Sequence, residues 1–250
     1  MRNTSSIDDI SQIDTVRDIL RQKRSLYHFY KEVYESYAKV LKSVPAGGLA
    51  VEIGSGGGFV KEVVPEMVTS EIETVTGIDA VVDATQMAFK EGELRAIFMM
   101  NVFHHIPDVS RFLDEASRCL KPGGKLFIMD QYRGWLSDFI FKNIHHEPYN
   151  PSAKEYIFPS SGRLSGANGA LAWMVFERDR KLFSTRFPKL KIIRYEPHSP
   201  FRYWLIGGLK PWTLVPSFLF RFFTQLDYFL ATLFPRMCSF VNVEIIRLPD

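Results

Sequence analysis

The sequence predicts a doubly wound α/β fold on a largely parallel sheet, and three observations carry that reading. Short apolar runs alternate with helical stretches between residues 48 and 130. The runs are continuously apolar instead of alternating polar and apolar, as expected of parallel strands buried on both faces. The first run ends in a glycine-rich turn, Gly54-Ser55-Gly56-Gly57-Gly58, where a strand hands over to the next element. Composition agrees. At 250 residues, 46% hydrophobic and 24% charged, the chain can build a full core, which excludes disordered, collagen-like and fibrous classes.

Residues 7–43 read as two helices, an N-terminal helical cap over residues 1–44. Thr15 can cap Val16–Arg24, and Leu26–Leu41 is amphipathic. Tyr27, Tyr30, Tyr34 and Tyr37 recur at helical spacing and read as a packing seam in preference to a cofactor-binding row. Residues 45–250 form the main domain. Leu49–Ile53 is its first strand, Phe59–Met67 a helix, and Met67–Ile72, Ile78–Val82, Leu94–Met100 and Lys125–Met129 further strands. Ser110–Leu120 is helical and stops at Lys121-Pro122-Gly123-Gly124. Beyond Asp130 the pattern loosens. Residues 145–171, rich in Pro, Gly, Ser and Asn, read as a long structured loop. Glu177–Phe187 is helical, while Leu190–Tyr195 and Phe240–Leu248 are strands. An apolar helical insertion, 200–236, precedes the last strand.

Glycines in the 54–58 turn permit positive φ and close backbone approach, so main-chain N–H groups there can face a bound polar group. Their G-x-G-x-G spacing differs from the dinucleotide pattern G-x-G-x-x-G, because position 59 is Phe. Glu52, two residues before the first glycine, can attract a cationic ligand group. A second acid at the end of the next strand could accept hydrogen bonds from ribose hydroxyls. Glu71 and Asp79 compete for that place, 17 and 25 residues after Gly54. Glu71 is favoured, since it ends the first strand-like run after the turn. Asp83, followed by Ala84, ends a further run, where a carboxylate can accept an adenine amino group.

Four segments, Glu52–Phe59, Asp83–Phe89, Asn101-Val102-Phe103-His104-His105-Ile106-Pro107-Asp108 and Leu120-Lys121-Pro122-Gly123-Gly124, occur in an order and spacing that resembles class I S-adenosylmethionine-dependent methyltransferases. The resemblance is to the small-molecule group that includes quinone-biosynthesis enzymes, and covers roughly residues 45–131. It implies a Rossmann-like methyltransferase sheet that binds S-adenosylmethionine. Glu52, Gly54, Ser55, Gly56 and Gly58 would face the methionine part, Glu71 the ribose and Asp83 with Ala84 the adenine, with Asn101 also at the cofactor. Ala88 stands where that family usually has proline, and the stretch between the second and third strands is short.

Methyl transfer needs an acceptor atom aligned with the sulfonium at about 3 Å, so the protein supplies position and a dry site. A hydroxyl acceptor also needs a base, which points to histidine or carboxylate. His105 follows the fourth strand at the ligand-binding edge, while its neighbour His104 reads as structural. His145 and His146 follow the fifth strand's helix, where acceptor loops start, so the catalytic candidates are His105, His145 and His146. No metal site is expected. In the polar loop 159–170, Arg163 could fork onto an acceptor carboxylate or phosphate, and Asn168 could orient a hydroxyl.

The segment 212–234 holds much of the chain's phenylalanine, interrupted by Pro216, Arg221 and Asp227. A spanning helix is therefore not expected. It reads as a cover on the sheet, a membrane-interface helix with Arg202, Lys210 and Arg221 toward anionic headgroups, or a homodimer surface. An interfacial helix would suit a lipidic acceptor. A net charge of +3 gives no reason to expect nucleic acid. Two distant cysteines and a polar N-terminus fit a cytoplasmic protein, peripheral to the membrane if 212–234 is interfacial. The resulting function is methylation of a small-molecule acceptor, with oxygen favoured. Competing readings are a nicotinamide-dependent oxidoreductase on the same topology and a non-catalytic membrane or partner adaptor.

Overall fold

The computed structural model describes residues 11–144, 147–159, 166–210 and 212–249. Two helices, α1 (Ser11–Gln22) and α2 (Arg24–Leu41), lead into a seven-stranded sheet of order β3-β2-β1-β4-β5-β7-β6. Its strands are β1 (Leu49–Ile53), β2 (Val68–Glu71), β3 (Ala80–Val81), β4 (Leu94–Met100), β5 (Leu120–Gln131), β6 (Leu190–His198) and β7 (Phe240–Arg247). The first five are parallel, whereas β7 runs antiparallel to both β5 and β6. The order reverses between β1 and β4, and in open α/β sheets ligands bind outside the strand ends at that point.

Period-two alternation in β4 divides the core into two layers. Ile97 and Met99 face the layer that holds Phe112 and Leu113 of α3 (Val109–Cys119). Ala96 and Phe98 face the other, with Phe29, Tyr34 and Tyr37 of α2. The side chain of Asp108 caps α3, accepting the Arg111 N–H at 3.0 Å. Tyr34 and Tyr37 are fully buried and Tyr27 stacks on Phe59 at 4.2 Å, so the tyrosine row packs as expected, although Tyr30 and Tyr34 also line the cavity at the carboxyl ends of the strands.

The expected helix Phe59–Met67 is only a single 3₁₀ turn, Val60–Glu62. Pro65 lacks an N–H and its ring crowds the carbonyl four residues back, while Val60, Val63 and Val64 are poor helix formers. Thr15 caps nothing, because α1 already begins at Ser11 and carries it in mid-helix. The expected helix 177–187 begins earlier, as α5 (Leu171–Trp173), a π-helical turn (Met174–Arg178) and α6 (Arg180–Arg186). Between β5 and α5 lies α4 (Trp135–Asn143); between β6 and β7 lie α7 (Arg202–Leu205) and α8 (Phe220–Leu233). Both cysteines are buried and free.

Candidate active site

A cavity of about 720 Å³ opens at the carboxyl ends of β1, β2 and β4. That is ample for a nucleoside-sized ligand. Its floor is the 54–58 turn. Gly54 has φ +70°, and a Cβ there would lie 2.6 Å from Val102 Cγ2. Gly56 has φ +52°, and its N–H donates to Glu71 Oε1 at 2.7 Å. Gly57 and Gly58 answer a different need. A Cβ on Gly57 would meet the Arg17 backbone nitrogen of α1 at 2.7 Å, and one on Gly58 would run into the Tyr34 hydroxyl of α2. The N-terminal helices therefore sit directly on the turn, and Ile13, Val16 and Ile19 of α1 line the cavity.

Two buried polar atoms in this wall have no hydrogen-bond partner among the described residues: Glu52 Oε2 and Asn101 Oδ1. Burial pushes the Glu52 carboxyl up to about 8, against the pull of Ser55 and Tyr37 beside it, and the charge of Glu71 raises it further. At neutral pH the group is therefore mostly the neutral acid, and a cationic ligand group beside it would favour the carboxylate. Asn101 adopts φ +55° at the end of β4, an uncommon conformation that asparagine tolerates better than most residues. Ser55 and Ala84 are buried in the same wall, and Asp83 lies at its outer edge with Oδ1 accepting from Thr85. Glu71 is buried on the cavity wall. Asp79, by contrast, binds the Thr69 N–H and Lys61.

A polar cluster forms the other side. His104 is buried, and its Nδ1 lies 2.6 Å from Asp130 Oδ1. Burial disfavours its imidazolium, but Asp130 and Glu147 outweigh that and raise its pKa to about 10. Glu147 Oε2 is 3.3 Å from His104 Nε2, and Glu147 Oε1 is 3.6 Å from His105 Nε2. Gln131 Nε2 donates to Glu147 Oε2 at 3.1 Å. Burial opposes the charge of Glu147, yet its bonds to the two histidines hold it far below the usual carboxylate range. His105, half-buried, also sets Nδ1 3.1 Å from the Gly166 carbonyl and lines the cavity. Although no metal site was expected, His104, His105 and Glu147 bring ligand-type atoms within 4.8 Å of one another.

Asn168 does not line this cavity. Its Oδ1 accepts from Asn150 N and Ala170 N, and its Nδ2 donates to Asn150 O, so both ends of the amide pin the loop instead. His145, His146 and Arg163 lie outside the described residues. Glu147 and Gln131 were missed by sequence reasoning. The signal for Glu147 was an acid directly after the His145-His146 pair, which itself drew the catalytic assignment; Gln131, inside a buried strand, gave none.

Residues 51–128 match a family described as "Methyltransferase domain". A ubiquinone biosynthesis O-methyltransferase of Xanthomonas axonopodis pv. citri (strain 306) is 28% identical over 103 residues, 34% of this chain and 43% of that one. The match thus spans less than half of that relative. Among solved structures, the putative methyltransferase complexed with the Trm112 activator of Haloferax volcanii aligns over 98% of this chain and 99% of its own, at TM-score 0.52 and 13% identity. Haemonchus contortus phosphoethanolamine N-methyltransferase 2, complexed with S-adenosyl-L-methionine, aligns over 100% and 59% at TM-score 0.48 and 14% identity. Residues 51–128 therefore carry a methyltransferase domain, and the fold is the α/β Rossmann-like one shared with S-adenosylmethionine-dependent methyltransferases. The matched domain supports S-adenosylmethionine over nicotinamide as the cofactor.

Proposed function

We propose that this protein methylates a hydroxyl oxygen on a small, largely apolar acceptor, using S-adenosylmethionine. The observation that carries the reading is the unpartnered Glu52 Oε2, buried in the cavity wall beside a glycine turn of positive φ. Such an atom calls for a cationic amino group, and the methionine part of this cofactor offers one. Glu71 would take the ribose hydroxyls, and Asp83 with Ala84 the adenine. The bound cofactor supplies an electrophilic methyl group.

Everything else falls to the chain. His105, at the cavity wall, would take the acceptor's proton, and Glu147 beside it stabilises the imidazolium that results. His104, fixed between Asp130 and Glu147, orients that carboxylate. Ile140 and Phe141 of α4 and Trp204 of α7 supply an apolar wall for the acceptor. The distant ubiquinone O-methyltransferase match supports oxygen as the acceptor atom. Calorimetric titration with S-adenosylhomocysteine tests the reading. Binding should be weakened at least tenfold by Glu52→Gln, about 1.4 kcal/mol, and left unchanged by His105→Ala. Absence of binding to the unaltered protein at about 1 mM ligand, near 4 kcal/mol, would dismiss it.

A further inference from the structure

Helix α8 is mounted with its polar side inward. Its buried residues are Phe220, Thr224 and Asp227, while Phe222, Phe229 and Leu233 are 62%, 59% and 53% exposed. At 3.6 residues per turn these three fall within roughly 40° of one another and opposite Asp227. Just upstream, Leu214 and Phe218 are 70% and 82% exposed.

A buried charge network imposes this orientation. Arg202, 3% exposed, places Nη2 2.7 Å from Glu32 Oε2 of α2 and Nε 3.3 Å from Asp227 Oδ2. Asp227 Oδ1 accepts the N–H groups of Phe201 and Arg202 at 2.9 and 3.0 Å. Rotating α8 to bury its phenylalanines would strand these charges unpaired. The apolar stripe is thus held outward.

We propose that this stripe docks α8 on the surface of an anionic lipid bilayer. Charge selects this occupant. Asp227 is the sole acid in residues 203–239, and it is buried, whereas Lys210, Arg221 and Arg236 are exposed. Glu32 of α2, which accepts from the Tyr228 hydroxyl, is held by Arg202, so the exposed charges that this segment itself contributes are cations. They complement anionic headgroups, and a second copy of the segment would set like charges together. No helix among the described residues is long and apolar enough to cross a membrane, so the contact is interfacial. Continuity points the same way. Ile144, Leu209 and Trp212 line the cavity and are also exposed, so its mouth is apolar on the outside. An acceptor drawn from the bilayer would enter there. That last step rests on the function proposed above, whereas docking does not.

Co-sedimentation of the full chain with phosphatidylcholine vesicles, with and without phosphatidylglycerol, is the test, alongside sedimentation velocity without lipid. Binding should require phosphatidylglycerol and fall about tenfold or more in the double variant Phe222→Ser, Phe229→Ser. The pair Arg221→Glu, Arg236→Glu should also weaken it, and carries the test if the first variant does not fold. S-adenosylhomocysteine titration of the same variants should be unchanged, which separates loss of docking from failure of the cavity. Three results would overturn the proposal: no vesicle binding, vesicle binding indifferent to both variants, or a dimer that the first variant dissociates.

Discussion

Helices α2 and α8 carry the same kind of side chain and use it in opposite ways. In α2, Phe29, Tyr34 and Tyr37 pack under the sheet and are almost wholly buried. In α8 Phe222 and Phe229 face outward, while Thr224 and Asp227 face in, with Phe220 the one phenylalanine of the helix that is buried. Aromatic content therefore does not decide which side of a helix is buried. In α2 the hydrophobic effect decides, because the sheet offers an apolar face to cover. Under α8 the partner is a charge, Arg202, and a buried charge left unpaired costs more than one exposed phenylalanine.

The sharpest way to test this contrast is truncation in α2. Phe29→Ala should destabilise by about 3–5 kcal/mol, read as a lower urea midpoint. The ring sits in the second core layer and under the Arg202 guanidinium, 5.0 Å from its centroid, so its loss is felt by both helices. Removal of the inward charge of α8 comes next. Asp227→Ala should cost about 3 kcal/mol, the lower end for a broken buried pair, because Arg202 keeps Glu32. Should Asp227→Ala prove neutral, the account of why α8 faces outward fails.

A pH scan separates the anchor of α8 from the network of the site. The pKa of Arg202 is raised, its burial being outweighed by Glu32, Tyr228 and Asp227, so the anchor keeps its charge throughout the accessible range. His104 behaves differently. Its pKa in the folded protein, about 10, lies above the ordinary 6.5, so the native state binds the extra proton. The stabilisation is complete below pH 6.5 and lost as pH rises through 10. Urea midpoints should fall between pH 7 and 10.5, and His104→Asn should flatten that slope.

Much of this arrangement was legible in the sequence, and what escaped did so for physical reasons. Strand positions followed from runs such as Leu94–Met100, because strands buried on both faces must be apolar throughout. Glu52, Glu71 and Asn101 could be placed because strand ends in such a sheet converge on one edge. Glu147 and Gln131 could not, since their meeting with His104 spans 43 and 27 residues and depends on how a loop folds back. Nor could the inward side of α8. The sequence shows Arg202 and Asp227 as two interruptions of an apolar segment, and only their 3.3 Å pairing turns Arg202 from an expected headgroup contact into a buried anchor. The short turn after Gly58 is signalled in the sequence by Pro65, which the apolar periodicity of 59–67 masks.

The smallest expected effect is the most discriminating. Phe222→Ala in α8 should change stability by no more than about 0.5 kcal/mol, an order below Phe29→Ala, although both remove a phenyl ring from a helix. The reason is the reference state. Phe29 leaves water on folding, whereas Phe222 remains 62% exposed and returns little transfer free energy when it is cut back. Paired chemical denaturation of the two variants measures the difference directly. A large loss for Phe222→Ala would mean that the outer stripe is covered within the isolated chain. Near-neutrality would mean that four exposed aromatic and aliphatic side chains, Phe218, Phe222, Phe229 and Leu233, persist on α8 and its leading turn without contributing to the stability of the fold.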